Sequence, residues 1–389
     1  MKTKPLCTII IGNAFDSLRM LPDKSVHVIS TSPPYWAQRD YGLPPVYWPA
    51  ISYKPMPIDG MSEIHIPAMS CCLGLEETAE AYVGHMVAFF REVKRVLRDD
   101  AVVFLNLGDG YSGPPTGGPG RMSTLNGPLD SKTRRQVGKM SVTKLAACKR
   151  PAKKGLPNGN LFLIPQRVAL ALQADGWYIR SDIRWVKPNT MPESCQSRPT
   201  SAHESILLLS KKEHYFYDTE AVKEASTDTE GKRKQQRNYW PICFEPNRAD
   251  HPAKYPSEIP RRAILAGTSE RGCCPHCGSN WVRQTEKYIK SVMSKTGKTK
   301  RFNDTKTIGW KPSCACPNNT PIPCTVLDPF AGTGTTAQAA LWLGRRALLF
   351  EMSTDFVKLI RARIQQKPKW AQDNGVYVQD TDVMSIPSV

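Results

Sequence analysis

The sequence predicts an α/β fold built on a mostly parallel β-sheet. Apolar segments of strand length alternate with amphipathic helices along most of the 389 residues. A glycine-containing loop also separates a strand from a helix at residues 328–336, and open α/β sheets bind their ligands at such loops. Hydrophobic residues make up 40% of the chain and charged residues 23%. That is enough apolar material for a large core, and it excludes general disorder.

In the first half of the chain, predicted strands and helices alternate as this fold requires. Strands are predicted at residues 7–11 and 26–30, with a short helix over 13–21 that Pro22 closes. Residues 44–72 are rich in Pro, Tyr and Met without periodicity, and we interpret them as an insertion. A helix over residues 76–98 has its apolar residues on one face and leads into a strand at 101–107.

The second half continues the alternation. It predicts a helix over residues 164–174, a strand at 178–186, and a hairpin of two strands at 205–209 and 214–217. The strand at 325–328, the helix at 334–343, the strand at 346–351 and the helix at 354–366 then form a βαβα unit. An ordinary dinucleotide-binding fold has its glycine loop early in the chain, so the late position here indicates a changed order of elements.

Excess positive charge predicts a polyanionic partner. Fifty-three Lys and Arg against 35 Asp and Glu give a net charge of +18. Ten bases and one acid lie between Gly113 and Asn160, and nine bases and two acids between Trp281 and Lys311. The basicity therefore belongs to two segments and not to the fold as a whole, and we favour phosphate contact over the alternative of two solvated loops.

The chain has no segment that suits a membrane. No apolar run approaches the roughly 18–20 residues that a bilayer-spanning helix needs. The amino terminus is basic and then apolar, but the apolar part is short and lacks a small-residue cleavage site. We therefore expect a cytoplasmic, nucleoid-associated protein with no membrane partner.

The cysteines are clustered. Cys274 and Cys277 form a CxxC pair, Cys314 and Cys316 form a CxC pair, and 36 residues lie between the pairs. Two such pairs supply the four thiolates of a tetrahedral structural zinc, with the intervening residues as a hairpin. Substitute ligands would be Cys273, His276 and Cys324. Reduced cysteines without metal are the alternative, and a disulfide is disfavoured because no signal peptide is present.

The loop from Asp328 to Thr336 predicts a nucleotide-like cofactor. Its glycines let the backbone approach a ligand closely, and the start of the following helix offers free N–H groups. Glu351 ends the next strand 19 residues after Gly332, the spacing at which an acid reaches a ribose diol. No Lys follows the glycines, so a P-loop is excluded, and tight-turn packing is the alternative interpretation.

The tetrapeptide Ser32-Pro33-Pro34-Tyr35 suits chemistry at the exocyclic amino group of a nucleobase. Such a nitrogen is a poor nucleophile because its lone pair is delocalised into the ring. The Ser32 hydroxyl and the Pro33 carbonyl would accept hydrogen bonds from its two N–H groups. This would free the lone pair of the nitrogen for attack. Tyr35 would stack on a base turned out of the helix. The alternative is a proline turn with an aromatic side chain packed against it.

The two motifs together resemble those of the S-adenosylmethionine-dependent DNA methyltransferases that modify amino groups. The order here, with the catalytic motif first, is that of their circularly permuted β-group. Similarity to the family pattern extends over residues 12–36, 101–109, 166–218 and 251–265. The resemblance implies a Rossmann-like class I methyltransferase with a mostly parallel seven-stranded sheet, circularly permuted and carrying insertions. It also implies double-stranded DNA as the substrate and S-adenosylmethionine as the cofactor.

The resemblance assigns roles to individual residues. Asn13 and Ala14 would lie by the adenine of the cofactor, and Glu351 would bind its ribose. Tyr255 and Ser257 match the segment that closes over the methionine end. Residues that would hold the methionine portion are Asp328, Phe330, Gly332 and Gly334, and Thr335 would also bind the cofactor. Ser32 preceded by Thr31 is usual in enzymes that methylate N4 of cytosine, and adenine N6 is the alternative target.

Other functions fit the residues less well. An inactive nucleic-acid-binding protein should have lost part of one motif, and both are intact. A third interpretation makes the zinc ribbon the functional module and the α/β part a scaffold. RNA-base and protein-glutamine methyltransferases generally have the opposite motif order. Methylation at cytosine C5 needs a nucleophilic Cys, but Pro323-Cys324 lies outside the catalytic position. His27 stands where the family commonly has an acid, and we attach no function to it.

The predicted organisation is one methyltransferase domain with insertions. Residues 1–43 form its catalytic-motif half, residues 76–224 continue it with a basic loop at 113–160, residues 251–272 add a helix, and residues 322–370 form the S-adenosylmethionine-binding half. The other segments are an insertion at 44–75, a candidate target-recognition segment at 225–250 and a candidate zinc-ribbon insert at 273–316. A cognate restriction endonuclease is a candidate partner.

Overall fold

A computed structural model describes residues 6–112, 156–193, 195–227, 229–244, 255–293, 299–317, 320–368 and 381–385. The helices are α1 (Ala14–Arg19), α2 (Ala79–Val96), α3 (Ile164–Ala174), α4 (Glu258–Gly267), α5 (Thr335–Trp342) and α6 (Thr354–Ile364). The strands are β1 (Cys7–Ile11), β2 (Val26–Thr31), β3 (Val46–Trp48), β4 (Ile51–Tyr53), β5 (Ile64–Ile66), β6 (Met69–Cys71), β7 (Leu97–Leu107), β8 (Tyr178–Val186), β9 (His203–Ser210), β10 (Glu224–Ala225), β11 (Arg233–Lys234), β12 (Tyr239–Pro241), β13 (Trp281–Met293), β14 (Thr299–Pro312), β15 (Thr325–Asp328), β16 (Arg346–Glu351) and β17 (Thr381–Ser385). Most of the basic loop at 113–160 lies outside the described residues.

The main sheet is mostly parallel, as predicted. Its strand order is β12-β8-β9-β7-β2-β15-β16-β1-β17, and β9 alone runs antiparallel to its two neighbours. β15 and β16, from the carboxyl-terminal part of the chain, lie between β2 and β1. The predicted change in the order of elements is therefore present. The sheet has nine strands where seven were expected, because the short strands β12 and β17 extend its two edges.

Helices cover both faces of this sheet. Alternate residues of each central strand enter different cores: Ile29 packs with α1, α2 and α3, and Val28 packs with α4, α5 and α6. Gly267 permits the close approach of α4, since a Cβ there would lie 2.7 Å from Val28 Cγ2. Among the described helices, none is both long and apolar enough to cross a bilayer.

The predicted strand at residues 214–217 is absent. β9 already pairs with β7 on one side and β8 on the other, so no free edge remains for a hairpin partner. Residues 214–217 instead follow the sheet as an irregular segment, in which the Phe216 N–H donates to the Asp100 carbonyl at 2.8 Å. The alternation of Tyr and Phe there reflects packing against the core and not a ladder.

The insertion at residues 44–75 belongs to the core. It folds as two small antiparallel pairs, β3 with β6 and β4 with β5. Trp48, Ile51 and Ile66 are buried with the apolar face of α2. Strands of only three residues leave too short a pattern to detect from the sequence, which is why the segment shows no periodicity.

Candidate active site

Two predicted motifs meet at the carboxyl ends of neighbouring strands. Thr31 ends β2 and donates its hydroxyl hydrogen to Asp328, which ends β15, at 2.7 Å. Thr336, in the first turn of α5, donates to the carbonyl of Ser30 at 3.2 Å. Two residues that are 297 positions apart in the sequence are thus hydrogen-bonded to each other. Because Ser32 follows Thr31, it lies close to the glycine loop.

The glycine loop has the backbone that a ligand-binding turn requires. Gly332 and Gly334 have φ values of +51° and +79°, a left-handed region that disfavours other residues. A Cβ at Gly334 would lie 2.9 Å from Ile360 Cγ2, so α5 also needs a glycine for its packing on α6. Thr335 begins α5 and is buried, and Phe330 packs against Phe89 with ring centroids 5.2 Å apart.

Glu351 faces the glycine loop from the next strand. Its carboxylate accepts the N–H groups of Gly332 at 2.8 Å and Ser353 at 2.9 Å. Burial raises the pKa of Glu351 to about 7. Burial also raises the pKa of Asp328. The hydroxyl groups of a ligand would therefore meet an acid whose ionisation changes near neutral pH.

Asn13 and Ala14 lie at the start of α1, beside Glu351. The N–H of Gly12 donates to the Glu351 carbonyl at 3.1 Å, which fixes the turn between β1 and α1. Asn13 caps α1 by accepting the Asp16 N–H at 2.8 Å, and Ala14 is buried. The structure thus places both residues on the same edge of the sheet as the glycine loop.

Tyr255 reaches this edge from the segment before α4. Its hydroxyl lies 2.9 Å from Ser30 Oγ, and burial raises the pKa of Tyr255 well above its usual range. Ser257 is buried at the start of α4. Tyr255 therefore stands next to the strand that carries the catalytic motif, and the closing of Tyr255 and Ser257 over the methionine end stays a prediction.

Hydrogen bonds to neighbouring elements fix the double-proline turn at Pro33 and Pro34. Tyr82 of α2 donates to the Pro34 carbonyl at 3.0 Å, and the Trp36 indole donates to the Glu76 carbonyl at 2.9 Å. Tyr35 packs its ring on Gly108, where a Cβ would lie 2.5 Å from the ring. The ring thus lies against the protein backbone on one side, and stacking of a base on Tyr35 stays a prediction.

The hydroxyls of the catalytic motif join a polar network that the sequence analysis did not identify. The Ser32 hydroxyl donates to the Tyr35 hydroxyl at 3.0 Å, which donates to Glu204 at 2.6 Å. Asn106 and Lys187 also donate to Glu204. In the sequence, Glu204 stands out only as a charged residue next to the apolar run of β9. Its partners come from distant parts of the chain: Asn106 on β7, Lys187 after β8 and Tyr35 in the motif itself.

The four predicted zinc ligands come together. The thiols of Cys274, Cys277, Cys314 and Cys316 lie within 4.8 Å of one another. A tetrahedral zinc with Zn–S bonds of about 2.3 Å separates its sulfurs by roughly 3.8 Å, so this donor set fits the ion. Between the pairs, β13 and β14 form the predicted hairpin. Among the described cysteines none forms a disulfide.

Two side chains of the main sheet anchor the zinc knuckle, which we define as residues 274–278. The Thr325 N–H donates to His27 Nδ1 at 3.1 Å, so His27 Nε2 carries the hydrogen and donates to the Gly278 carbonyl at 2.8 Å. Arg98 donates to the Cys277 carbonyl at 2.5 Å. His27 and Arg98 lie near the amino ends of β2 and β7, so the knuckle lies at the sheet edge opposite Ser32.

Cys273, Cys324 and His27 form a second, buried group beside the knuckle. Both nitrogens of His27 are already hydrogen-bonded to the backbone, so its ring has no lone pair for a metal. Cys324 instead lies 3.3 Å from Asn280 Oδ1. This group therefore packs the insert against the sheet, and it does not replace the predicted ligands. His276 is exposed.

The β13–β14 hairpin also contacts the candidate recognition segment. Lys290 donates to the Gly231 carbonyl at 3.1 Å, and Arg233 donates to the Thr305 carbonyl at 3.5 Å. Just before the segment, Lys223 donates to the Thr305 hydroxyl at 2.8 Å. Arg233 of β11 lies 3.9 Å from Asp304 of β14. The segment at 225–250 is not a separate module, since its β12 pairs with β8 of the main sheet. Residues 245–250 lie outside the described part.

Comparison with known proteins gives a family match. A family model described as DNA methylase, of the N6 and N4 type, matches residues 26–290 and 320–362. Type II methyltransferase M.SmaI of Serratia marcescens is 30% identical over 361 residues, which cover 93% of this chain and 91% of that protein. Type II methyltransferase M.Cfr9I of Citrobacter freundii is 37% identical over 261 residues, 67% of this chain and 72% of that protein.

The fold has a counterpart among solved structures. The PvuII DNA methyltransferase, described as cytosine-N4-specific, superimposes with a TM-score of 0.51. The two share 15% identity, and the match covers 100% of this chain and 99% of that chain. At this identity the likeness shows the Rossmann-like α/β fold alone.

Proposed function

The chain belongs to the N6 and N4 family of DNA methylases, and on that premise we propose that it methylates N4 of cytosine at a specific site in duplex DNA. It is an S-adenosylmethionine-dependent DNA methyltransferase. The observation that carries the proposal is the bond from Thr31 to Asp328, because it holds the serine of the catalytic motif beside the cofactor loop. The choice of base rests on Ser32 in the first motif position.

The residues around the loop fit S-adenosylmethionine. Glu351 offers a carboxylate for the ribose hydroxyls, and glycine adopts the left-handed turn at position 332 without strain. Asn13 and Ala14 would border the adenine, and Tyr255 and Ser257 the methionine end. The methionine portion would be held by Asp328, Phe330, Gly332 and Gly334, and Thr335 would add a further contact to the cofactor. When bound, S-adenosylmethionine supplies an electrophilic methyl group on a positively charged sulfur.

The catalytic motif would act on the amino group of the target base. The Ser32 hydroxyl and the Pro33 carbonyl would accept hydrogen bonds from its N–H groups. These hydrogen bonds would draw the nitrogen toward tetrahedral geometry and expose its lone pair. The contact from Tyr82 to Pro34 keeps the turn rigid, so these acceptors need no rearrangement when the base arrives. Tyr35 would support the flipped base. No covalent bond between enzyme and base is required.

Mass spectrometry of nucleosides tests the proposal. Unmethylated duplex DNA is incubated with the protein and methyl-deuterated S-adenosylmethionine, then digested. We expect deuterated N4-methylcytosine. Deuterated N6-methyladenine would retain the fold and the enzyme class but refute our interpretation of Ser32, and the absence of any labelled nucleoside across varied DNAs would contradict the proposed activity.

Binding of S-adenosylmethionine should depend on pH through Glu351. The pKa of this acid is about 7 in the folded protein, and ribose hydroxyls donate best to the ionised form. The affinity should therefore rise with pH, by up to about tenfold between pH 6 and pH 8. Isothermal titration calorimetry measures it. Glu351→Gln should bind more weakly, and the difference between its profile and that of the wild type isolates Glu351. Parallel profiles would contradict the assignment.

The same raised pKa has a consequence for the free protein. Between the ordinary pKa of an acid, 4.5, and the folded value of about 7, the native state binds more protons than the unfolded state. Stability contributed by protonated Glu351 is therefore complete below 4.5 and is lost as the pH rises through 7. Glu351→Gln removes this slope.

We propose that residues 225–244 and the β13–β14 hairpin together contact the DNA. Their mutual hydrogen bonds make them one unit, and the hairpin lies in one of the two basic segments of the sequence. A two-stranded ribbon also fits the major groove. Residues 113–160, the other basic segment, would add phosphate contacts.

Removing two lysines of this unit should weaken DNA binding. Arg233 and Arg237 are paired with acids of the protein, whereas Lys232 and Lys234 form no ion pair among the described residues. In Lys232→Gln/Lys234→Gln, the slope of log affinity against log salt should fall by about 1–2. Lys358→Gln, on α6, is the matched control. An unchanged slope and an unchanged methylation site would refute this surface.

We propose that one zinc ion per chain stabilises the insert. Removing a thiolate should release the metal and lower the melting temperature by about 5 °C. Cys274→Ser tests this by elemental analysis and calorimetry, with the exposed Cys243→Ser as control. Because the knuckle lies opposite Ser32, kcat below the melting temperature should change less than threefold. Wild-type protein that purifies without zinc and gains none on addition would contradict the site.

We further propose a cognate restriction endonuclease as a biological partner, since the similar proteins are Type II methyltransferases. DNA methylated by this chain should then resist one restriction enzyme of the same host. Digestion of treated and untreated DNA with host extracts measures that resistance.

A further inference from the structure

A hydrogen-bond chain leads from the catalytic motif to a carboxylate outside both predicted motifs. The Ser32 hydroxyl lies 3.0 Å from the Tyr35 hydroxyl, which lies 2.6 Å from Oε2 of Glu204. Lys187 donates to the other carboxylate oxygen of Glu204. The side chains of Lys187 and Glu204 are only 13% and 15% exposed, so the pair is shielded from water.

The direction of every hydrogen in this chain is fixed. Glu204, ion-paired with Lys187, is a carboxylate and only accepts hydrogen bonds. Its 2.6 Å contact with Tyr35 therefore uses the Tyr35 hydrogen. The Tyr35 oxygen is left as an acceptor, and it receives the Ser32 hydrogen and an Asn106 amide hydrogen, the latter at 2.7 Å. Asn106 also donates to Glu204 at 2.8 Å, which closes the network.

This direction decides what Ser32 can offer to a substrate. A hydroxyl has one hydrogen, and here that hydrogen points to Tyr35, so Ser32 Oγ can only accept. Asn106 Nδ2 is a long-range donor to it at 3.5 Å, and the amino group of a base would be the second donor. We propose that Glu204 is a positioning residue that fixes Ser32 as an acceptor for the amino group of the target base. This inference rests on the proposed function. Without the carboxylate, the Tyr35 hydroxyl can donate to Ser32, and Ser32 can then present its hydrogen to the base.

A purely structural role for the ion pair makes a different prediction. Lys187 follows β8 and Glu204 belongs to β9, so the pair also ties two strand ends together. Loss of such a tie would lower stability and weaken ligand binding. Loss of the hydrogen-bond direction would lower kcat alone, because neither S-adenosylmethionine nor the rest of the DNA contacts Glu204 in this proposal.

The experiment compares variants of the full chain in methylation kinetics. Glu204→Gln keeps the shape of the side chain but adds an amide donor toward Tyr35, and we expect kcat to fall about 100-fold. The Kd for S-adenosylmethionine and the KM for DNA should stay within twofold. Glu92→Gln, an acid of α2 paired with Arg95, is the matched control and should retain wild-type kcat.

A second variant covers the case in which Glu204→Gln fails to fold. Tyr35→Phe removes the link and leaves the Glu204–Lys187 pair intact, and it should lower kcat to a similar degree. The double variant should be no slower than Tyr35→Phe alone, because the chain is already broken. Wild-type kcat in Glu204→Gln, or additive losses in the double variant, would overturn the inference. A wild-type protein without methylation activity would overturn the proposed function and this inference with it.

Discussion

Replacing Ser32 by alanine is expected to lower kcat by about 10²–10³-fold, the usual effect of losing one preorganised hydrogen-bonding group in a transition state. In the proposed mechanism the hydroxyl accepts from the amino group of the base while that nitrogen becomes tetrahedral, so its contribution would belong to the chemical step. The Kd for S-adenosylmethionine should remain within twofold, since Thr31 and not Ser32 contacts Asp328. Single-turnover methylation and calorimetric titration together measure both quantities.

Ser25→Ala is the matched control for this substitution. Ser25 lies seven residues earlier, just before β2, and its hydroxyl donates to the turn carbonyl of Pro22 at 2.7 Å, away from both motifs. We expect wild-type kcat from it. Full activity in Ser32→Ala would refute the role of Ser32 as an acceptor, and a parallel loss of cofactor affinity would indicate damage to the fold.

Gly332→Asp is expected to abolish methylation by preventing S-adenosylmethionine from binding, with an affinity loss of at least about 100-fold, which corresponds to roughly 2.7 kcal/mol. Its N–H contacts Glu351, so the new carboxylate would stand beside an acid that burial already makes hard to ionise. A side chain at this position would also be strained by the left-handed φ of +51°. Calorimetric titration with S-adenosylmethionine measures the loss.

The control is the same substitution at another left-handed glycine. Gly344, just after α5, has φ of +71°, and a Cβ there meets no atom within 4 Å. Gly344→Asp therefore carries a comparable backbone cost without a carboxylate near Glu351. We expect unchanged affinity for S-adenosylmethionine from it. Equal losses in the two variants would show that backbone strain, and not the site, explains the effect.

Local sequence patterns predicted most of the central sheet. β1, β8, β15 and β16 have the predicted bounds, because apolar strands flanked by Gly, Pro or charged residues end where those residues stand. The patterns gave wrong predictions where the pairing between strands decides which segments join the sheet. Residues 214–217 read as a strand, yet β9 has no free edge for them. β12 and β17 are too short or too polar to be distinguished from loops before their neighbours are known.

Some residues of the candidate site could likewise be predicted from the sequence, and others could not. Ser32, Gly332 and Glu351 were predictable because each belongs to a contiguous motif or a fixed spacing. Glu204 and Asn106 were not, because their significance arises only from the contacts that the sheet order creates. The four cysteines were predictable as a set, whereas the anchoring of their knuckle required the position of Arg98, a residue with no distinguishing pattern.

The position of β2 between β7 and β15 has a consequence for the synthesis of the protein. Thr31 leaves the ribosome 297 residues before its partner Asp328, a delay of about 15–60 s at common elongation rates. During that time one edge of the apolar strand β2 has no β15 to pair with, and an open edge invites association with other chains. The nascent chain should therefore depend on chaperones. It should also remain unable to methylate DNA until its carboxyl-terminal strands have joined the sheet.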